Sequence, residues 1–160
     1  MAGADERVAA AATAAGLTIR LERFPEGTRT AKDAARAVGC EVGQIVKSLV
    51  FVADGKPVVA LVSGADRLDT NRLAATLAAH RVERADGDAV RAATGYAIGG
   101  VPPFGHAQPL PVVMDRALLE HDTVWAAAGR PDAVFAVRPD ELRRVSAARV
   151  ADIAADRLSG

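Results

Sequence analysis

A lysine stands within an apolar stretch of this sequence. Lys47 follows Ile45 and Val46 and precedes residues 49–53, all of which are apolar. A lysine in this position either extends its ammonium to solvent or points into a cleft, where burial lowers its pKa. In a cleft the ammonium could donate hydrogen bonds to a carbonyl or phosphate oxygen. Lys47 is therefore the strongest single candidate for chemistry, and the alternative is a surface lysine at a strand end.

A loop rich in glycine and proline is the second candidate. Residues 98–106 read IGGVPPFGH and hold three glycines and two prolines. Proline lacks an N–H and fixes φ, whereas glycine admits backbone conformations closed to other residues. Such a loop offers bare N–H and C=O groups that suit a flat or polar ligand. A tight turn with a purely structural role is the alternative.

The sequence does not contain the residue patterns of several other common catalytic and metal-binding sites. The three histidines, His80, His106 and His121, do not have metal-ligand spacing, and Cys40 is the single cysteine. We therefore expect no metal site and no internal disulfide. The sequence has neither a Gly-x-Ser-x-Gly elbow nor a phosphate-binding Gly-x-x-x-x-Gly-Lys-Ser/Thr motif. His106 follows the glycine-rich loop and could contact a ligand or be a polar residue at a cleft rim.

Composition indicates an ordinary globular chain. With 160 residues and a formal net charge of zero, the sequence is expected to form one domain, residues 1–160. Zero net charge argues against a broad grip on nucleic acid but permits a small footprint on one end of it. Neither a signal peptide nor a membrane-spanning run is recognisable, so a cytoplasmic protein is expected.

Hairpins mixed with short helices predict an α+β domain with a mostly antiparallel or mixed sheet. The central element is a hairpin of residues 47–53 and 57–62 joined by an Asp-Gly turn. These apolar strands are expected to be covered on both faces. Further helices are predicted at residues 5–15, 30–38, 69–79, 86–93, 116–121 and 140–145, and a helical turn at 43–46. Further strands are predicted at residues 17–23, 111–114, 123–128 and 133–137, with residues 150–153 left as a strand or an edge.

Four motifs occur in one order: TAKDAA at residues 30–35, IVKSLVF at 45–51, GGVPPFG at 99–105 and GRPDAVF at 129–135. Together they resemble the YbaK/prolyl-tRNA-synthetase-associated editing domain family of aminoacyl-tRNA deacylases, over residues 20–153. The resemblance implies a compact domain with a curved, barrel-like mixed sheet flanked by helices. It also implies hydrolysis of the ester that joins a wrong amino acid to the 3′ end of a tRNA.

The resemblance also assigns roles by position. Lys47 matches the essential lysine of the family, and residues 99–103 match the Gly-x-x-x-Pro loop that holds the terminal adenosine and the ester. Residues 129–135 match a Gly-x-Pro-x-x-x-Phe loop found in free-standing prolyl-tRNA editors. We expect the main-chain N–H groups of Gly99, Gly100 and Val101 to stabilise the oxyanion. The expected substrate-binding residues are Phe24, Thr30, Pro102, Pro103, Phe104, Gly105, His106, Gly129 and Pro131.

The predicted function is trans-editing of mischarged tRNA, with tRNA(Pro) carrying alanine as the first candidate substrate and cysteine, serine or threonine next. The resemblance implies substrate assistance in place of a side-chain base, and neither a metal nor a cofactor is expected. The expected partner is the acceptor end of an aminoacyl-tRNA, with a prolyl-tRNA synthetase as a possible second partner. Two alternatives stay open: a non-catalytic module that binds a nucleotide or aminoacyl-tRNA end, and an unrelated hydrolase that uses His106.

Overall fold

The computed structural model describes residues 3–24 and 30–156, in which α-helices and strands alternate irregularly along the chain. The strands are β1 (Leu21–Arg23), β2 (Val46–Ala53), β3 (Lys56–Ser63), β4 (Val82–Arg84), β5 (Val112–Asp115), β6 (Val124–Ala127), β7 (Ala133–Val137) and β8 (Arg149–Ala151). The helices are α1 (Ala4–Ala14), α2 (Ala31–Val38), α3 (Thr70–Leu77), α4 (Gly87–Thr94) and α5 (Pro139–Ser146), with 3₁₀ helices at Val42–Gln44 and Arg116–Glu120.

The larger sheet has the strand order β4-β2-β3-β5-β8. The predicted hairpin is confirmed: β2 and β3 pair antiparallel from Val46 opposite Ser63 to Ala53 opposite Lys56, with Asp54 and Gly55 in the turn. Strand β5 runs parallel to β3, and β8 runs parallel to β5, so the sheet is mixed. The smaller sheet, in the order β1-β7-β6, is antiparallel.

Strand β3 is the centre of the hydrophobic core. Alternate residues point to opposite faces of a strand. Val59 and Leu61 pack into one apolar cluster, while Val58, Ala60 and Val62 pack into another. The prediction that this strand is covered on both faces is therefore confirmed. Strand β2 is covered less completely, because residues 47–49 are only half-buried.

The two sheets meet along one short contact. Ile45 and Trp125 form a parallel bridge just before β2 and within β6. The Gln44 side-chain amide also donates a hydrogen bond to the Thr123 carbonyl, with an N···O distance of 3.0 Å. The mixed α+β architecture is confirmed. The barrel-like sheet is wrong for the described residues, because their strands form two sheets that do not close on each other.

Capping residues in the sequence correctly predicted where helices begin. The Thr30 hydroxyl accepts a hydrogen bond from the Asp33 N–H at 3.0 Å, which caps α2, and Asp86 caps α4 in the same way. Two predicted elements differ from the structure, and one strand was not predicted. The strand expected at residues 17–23 spans only 21–23, the turn expected at 43–46 is a 3₁₀ helix at Val42–Gln44, and β4 was not predicted. The sequence also predicts a loop at residues 24–27, and its part after Phe24 lies outside the described residues.

A last short strand lies near the end of the described chain. Residues Arg149–Ala151 pair in parallel with β5, which places β8 at one edge of the larger sheet. This settles the choice that the sequence left open at residues 150–153. Within the two described ranges, no helix has both the length and the apolar content needed to cross a membrane.

Candidate active site

A cavity of about 340 Å³ opens beside β2, at the junction of the two sheets. Its size is that of a small-molecule site. Its walls come from α2, β2, β4, α4, β6, β7 and the two predicted loops. The lining residues are Thr30, Ala31, Ala34, Ile45, Val46, Lys47, Ser48, Leu49, Val50, Arg84, Ala85, Val90, Ile98, Gly99, Val101, Trp125, Ala126, Ala127, Pro131 and Val134.

The cavity exists because one edge of β2 is covered only at its two ends. At one end Ile45 bridges to Trp125. At the other end β4 pairs with residues 51–53, and the Ala85 N–H donates to the Val50 carbonyl at 3.1 Å. Between these contacts, residues 47–49 have no strand partner on that side within the described chain. The backbone there faces the cavity instead of a neighbouring strand.

Lys47 is half-buried in the wall of this cavity. Its ammonium donates a hydrogen bond to the main-chain carbonyl of Asp66, with an N···O distance of 2.5 Å. Burial lowers the pKa of Lys47 below its ordinary value, and the positive charges of Arg84 and Arg67 lower it further, while the charge of Asp66 opposes them.

The glycine-rich loop brings two unengaged N–H groups to the cavity. Gly99 and Val101 line it, and their main-chain N–H groups have no hydrogen-bond partner among the described residues. Gly100 differs, because its N–H donates to the Ala97 carbonyl at 3.0 Å. Gly100 is buried, and a Cβ there would lie 2.9 Å from the Gly129 carbonyl oxygen. Gly100 thus allows the two loops to approach each other closely.

The rest of this loop is fixed from behind the cavity. The Phe104 ring is buried and packs edge-on against Phe135, with ring centroids 5.6 Å apart. A ring nitrogen of His106, Nε2, lies 2.8 Å from the Pro102 carbonyl oxygen. Since a carbonyl only accepts, Nε2 must carry the proton and donate. Burial lowers the pKa of His106, which favours this neutral form of the ring.

The second loop holds Pro131 at the cavity and Gly129 behind it. Gly129 is buried with φ near 90°, and a Cβ there would lie 2.8 Å from the Ala4 carbonyl oxygen. Only glycine fits such a position, because both the backbone conformation and the space exclude a side chain. Phe24 lies beside this loop, where its N–H donates to the Asp132 carbonyl at 2.8 Å.

The structure thus divides the predicted site residues into two groups. Lys47, Gly99, Val101, Thr30 and Pro131 line one cavity, although they are far apart in sequence. The others lie outside its lining: Phe24, Gly100, Pro102, Pro103, Phe104, Gly105, His106 and Gly129. Contact between substrate and this second group stays a prediction, and the contacts above give several of its members a supporting position.

The lining residues that the sequence did not single out include Ser48, Arg84, Ile98 and Trp125. Trp125 and Ser48 lie in apolar strands and read as structural, and Arg84 belongs to the strand that was not predicted. Ile98 is the first residue of the predicted glycine-rich loop, and 55% of its surface is exposed. The Ser48 hydroxyl oxygen is buried without a hydrogen-bond partner among the described residues, which is uncommon for a buried polar atom.

A family comparison defines the class of this protein. Residues 25–145 match the model of the aminoacyl-tRNA editing domain. The chain therefore belongs to the aminoacyl-tRNA editing domain family and is classed with the aminoacyl-tRNA deacylases, as the resemblance in the sequence indicated.

Individual relatives agree with this class. A crystal structure described as a candidate trans-editing enzyme for prolyl tRNA synthetase is 44% identical, with a TM-score of 0.92 and coverage of 98% of this chain and 99% of that one. A candidate Cys-tRNA(Pro)/Cys-tRNA(Cys) deacylase, EbsC of Enterococcus faecalis, is 28% identical over 81% of this chain and 80% of its own length. The proline--tRNA ligase of Citrifermentans bemidjiense is 39% identical over 58% of this chain, a match that spans only 16% of the ligase.

Proposed function

We propose that this protein hydrolyses the ester of a mischarged tRNA(Pro) in trans, with a small wrong amino acid as the group removed. Alanine is the first candidate, followed by cysteine and then serine or threonine. The observation that carries the proposal is that Lys47 and the unengaged N–H groups of Gly99 and Val101 share one cavity. The relatives named for prolyl-tRNA editing support the choice of tRNA(Pro).

The reaction assigns a role to each group. Water attacks the ester carbonyl carbon, and the carbonyl oxygen gains negative charge in the tetrahedral intermediate. In this proposal the N–H groups of Gly99 and Val101 donate to this oxyanion, and the Lys47 ammonium holds a substrate carbonyl or phosphate oxygen. The bond to the ribose oxygen then breaks, that oxygen takes up a proton, and the free amino acid leaves.

The proton on the attacking water needs an acceptor. The described lining residues include no carboxylate and no imidazole, and the ionisable side chains among them are Lys47 and Arg84. This composition supports substrate assistance, in which the free hydroxyl of the terminal ribose or the amino group of the substrate positions the water, accepts its proton and passes a proton to the ribose oxygen that leaves. Proximity within the cavity can then replace a side-chain base.

The apolar part of the cavity supports a small amino acid. Val46, Val50, Val90, Val101 and Ala126 contribute aliphatic surface that suits a methyl or hydroxymethyl group. An aliphatic pocket separates substrates that differ by one methylene by only about 10- to 200-fold. We therefore expect graded activity across alanine, cysteine and serine, and not a single accepted substrate.

The test is turnover on a panel of tRNA(Pro) charged with alanine, cysteine, serine, threonine or proline. The tRNA is present in at least 20-fold excess over protein, and the radiolabelled amino acid released into the acid-soluble fraction is counted over time. We expect multiple turnovers on at least one small amino acid and little loss of Pro-tRNA(Pro). Retained binding with no turnover on any member would contradict the proposal and favour the non-catalytic binding module.

A further inference from the structure

The side chain of Trp125 lies on the cavity wall formed by β6 and α2. It is the single tryptophan of the sequence. Part of the ring packs with Ala34, Ala35 and Ile45, and the residue is only half-buried because it also lines the cavity. Its indole N–H makes no hydrogen bond with the described residues. The cavity therefore presents an anchored aromatic ring with a polar edge still available.

We propose that Trp125 is the stacking platform for the terminal purine base of the tRNA acceptor end. This inference rests on the function proposed above. Aromatic side chains bind unpaired bases by stacking, because every base has a π-face. A half-buried ring held against a helix is suited to this role, since little side-chain freedom remains to be lost on binding.

The arrangement of the cavity favours a base over the amino acid as the group that contacts Trp125. The ester belongs near Lys47 and residues 99–101, where the charge and the N–H donors lie. The aliphatic residues described above already offer a pocket for a small side chain. The residues around Trp125 are Ala31, Ala34 and Ile45, which are small or aliphatic and leave the indole as the largest flat surface in the lining.

Trp125 also provides its own reporter. A base stacked on the only tryptophan changes its fluorescence directly, without any dependence on turnover. The probe is 3′-alanylamino-3′-deoxyadenosine, an amide analogue of the charged tRNA end that is stable to hydrolysis. We expect saturable quenching of Trp125 emission by this analogue, with a clearly weaker response to the matching cytidine analogue.

Variants separate stacking from packing. Replacing a stacking aromatic by alanine costs about 5- to 150-fold in affinity. Trp125→Ala is therefore expected to raise the Kd of the adenosine analogue at least 5-fold by calorimetry, while Trp125→Phe stays within a few-fold of wild type. Val42→Ala is the matched control, since Val42 packs in the same cluster as Trp125 but does not line the cavity. This control is expected to leave the Kd unchanged.

The failure of this inference is distinct from failure of the proposed function. Calorimetric binding or turnover by wild type without any change in Trp125 emission would overturn the stacking role while leaving the hydrolase intact. An unchanged Kd in a folded Trp125→Ala protein would overturn it as well. Saturable quenching without turnover on any charged tRNA would instead remove the proposed hydrolysis and keep Trp125 as a base-binding residue.

Discussion

The Lys47 ammonium donates a hydrogen bond to the main-chain carbonyl of Asp66, which lies in the loop that follows β3. This contact holds the lysine side chain in the cavity wall and uses one of its three donors. The other two ammonium N–H groups make no hydrogen bond with the described residues, and we expect them to bind substrate oxygens. The hydrogen bond to Asp66 thus orients the lysine charge before substrate arrives. Because the Lys47 side chain is already ordered in the folded protein, substrate binding does not have to order it.

Removal of Lys47 is expected to reduce hydrolysis strongly. We expect Lys47→Ala to lower kcat/KM on the best mischarged tRNA(Pro) by about 100- to 1,000-fold, the range for loss of a donor that stabilises charge in a transition state. Single-turnover rates measure the effect. Lys56→Ala, on the exposed side of the hairpin, is the control and should keep wild-type rates. Equal losses in both variants would show a general effect of positive charge on tRNA binding.

The same lysine is expected to make stability depend on pH. Burial lowers the pKa of Lys47 in the folded protein relative to its ordinary 10.5, so the folded state binds that proton less tightly than the unfolded chain. The charged form therefore costs stability at neutral pH, and this cost falls as the pH rises through the folded-state pKa toward 10.5. The Tm of wild type is expected to rise relative to that of Lys47→Met between pH 7 and pH 10. A relative fall over this range would contradict the lowered pKa.

Gly100 is expected to tolerate no side chain. In Gly100→Ala the new Cβ would lie 2.9 Å from the Gly129 carbonyl oxygen and 3.0 Å from backbone atoms of Arg130, so the two loops must separate. Such overpacking costs about 1–3 kcal/mol, and urea unfolding should show it together with reduced activity. Gly87→Ala is the matched control, because the nearest atom to its Cβ is a flexible Ile98 methyl at 3.8 Å. A Gly100→Ala protein with wild-type stability would refute the close packing of the loops.

His106 is expected to support the loop and not to act on the substrate. The imidazole donates to the Pro102 carbonyl, and the next residue is a second proline without an N–H of its own. His106→Phe should lower kcat/KM by about 5- to 13-fold, in keeping with one lost hydrogen bond of about 1–1.5 kcal/mol. His106→Gln retains a donor and should recover most of the activity. Complete loss in His106→Gln would favour the alternative hydrolase that uses this histidine in catalysis.

Local signals in the sequence predicted much of the fold. Thr30 and Asp86 each place an oxygen where helix N–H groups lack partners, and the Asp-Gly pair at 54–55 fits a tight turn. The parallel pairing of β3, β5 and β8 was not predictable in this way, because it joins segments separated by tens of residues. Strand β4 was missed because its three residues are a valine followed by two charged residues, and pairing with β2 alone makes it a strand.

The candidate site was predictable where a residue was unusual in its own segment. Lys47 stands out in an apolar strand, and the glycines at 99 and 100 stand out beside prolines. Trp125 does not stand out, because an aromatic residue is common in a core strand and the run TVWAAA is predicted to be one. Its place at the cavity depends on the uncovered edge of β2, which arises only from the meeting of two sheets. Residues that such a gap exposes cannot be recognised from the sequence of their own segment.

The most direct test of the central claim is the single-turnover deacylation rate of Ala-tRNA(Pro) by wild type and by Lys47→Ala, at saturating protein. Binding of the stable adenosine analogue to both proteins is measured alongside. Our account predicts rapid deacylation by wild type and a rate at least 100-fold slower for a folded Lys47→Ala protein. Equal rates for the two proteins would contradict it, because the cavity would then hydrolyse the ester without the lysine that it is built around.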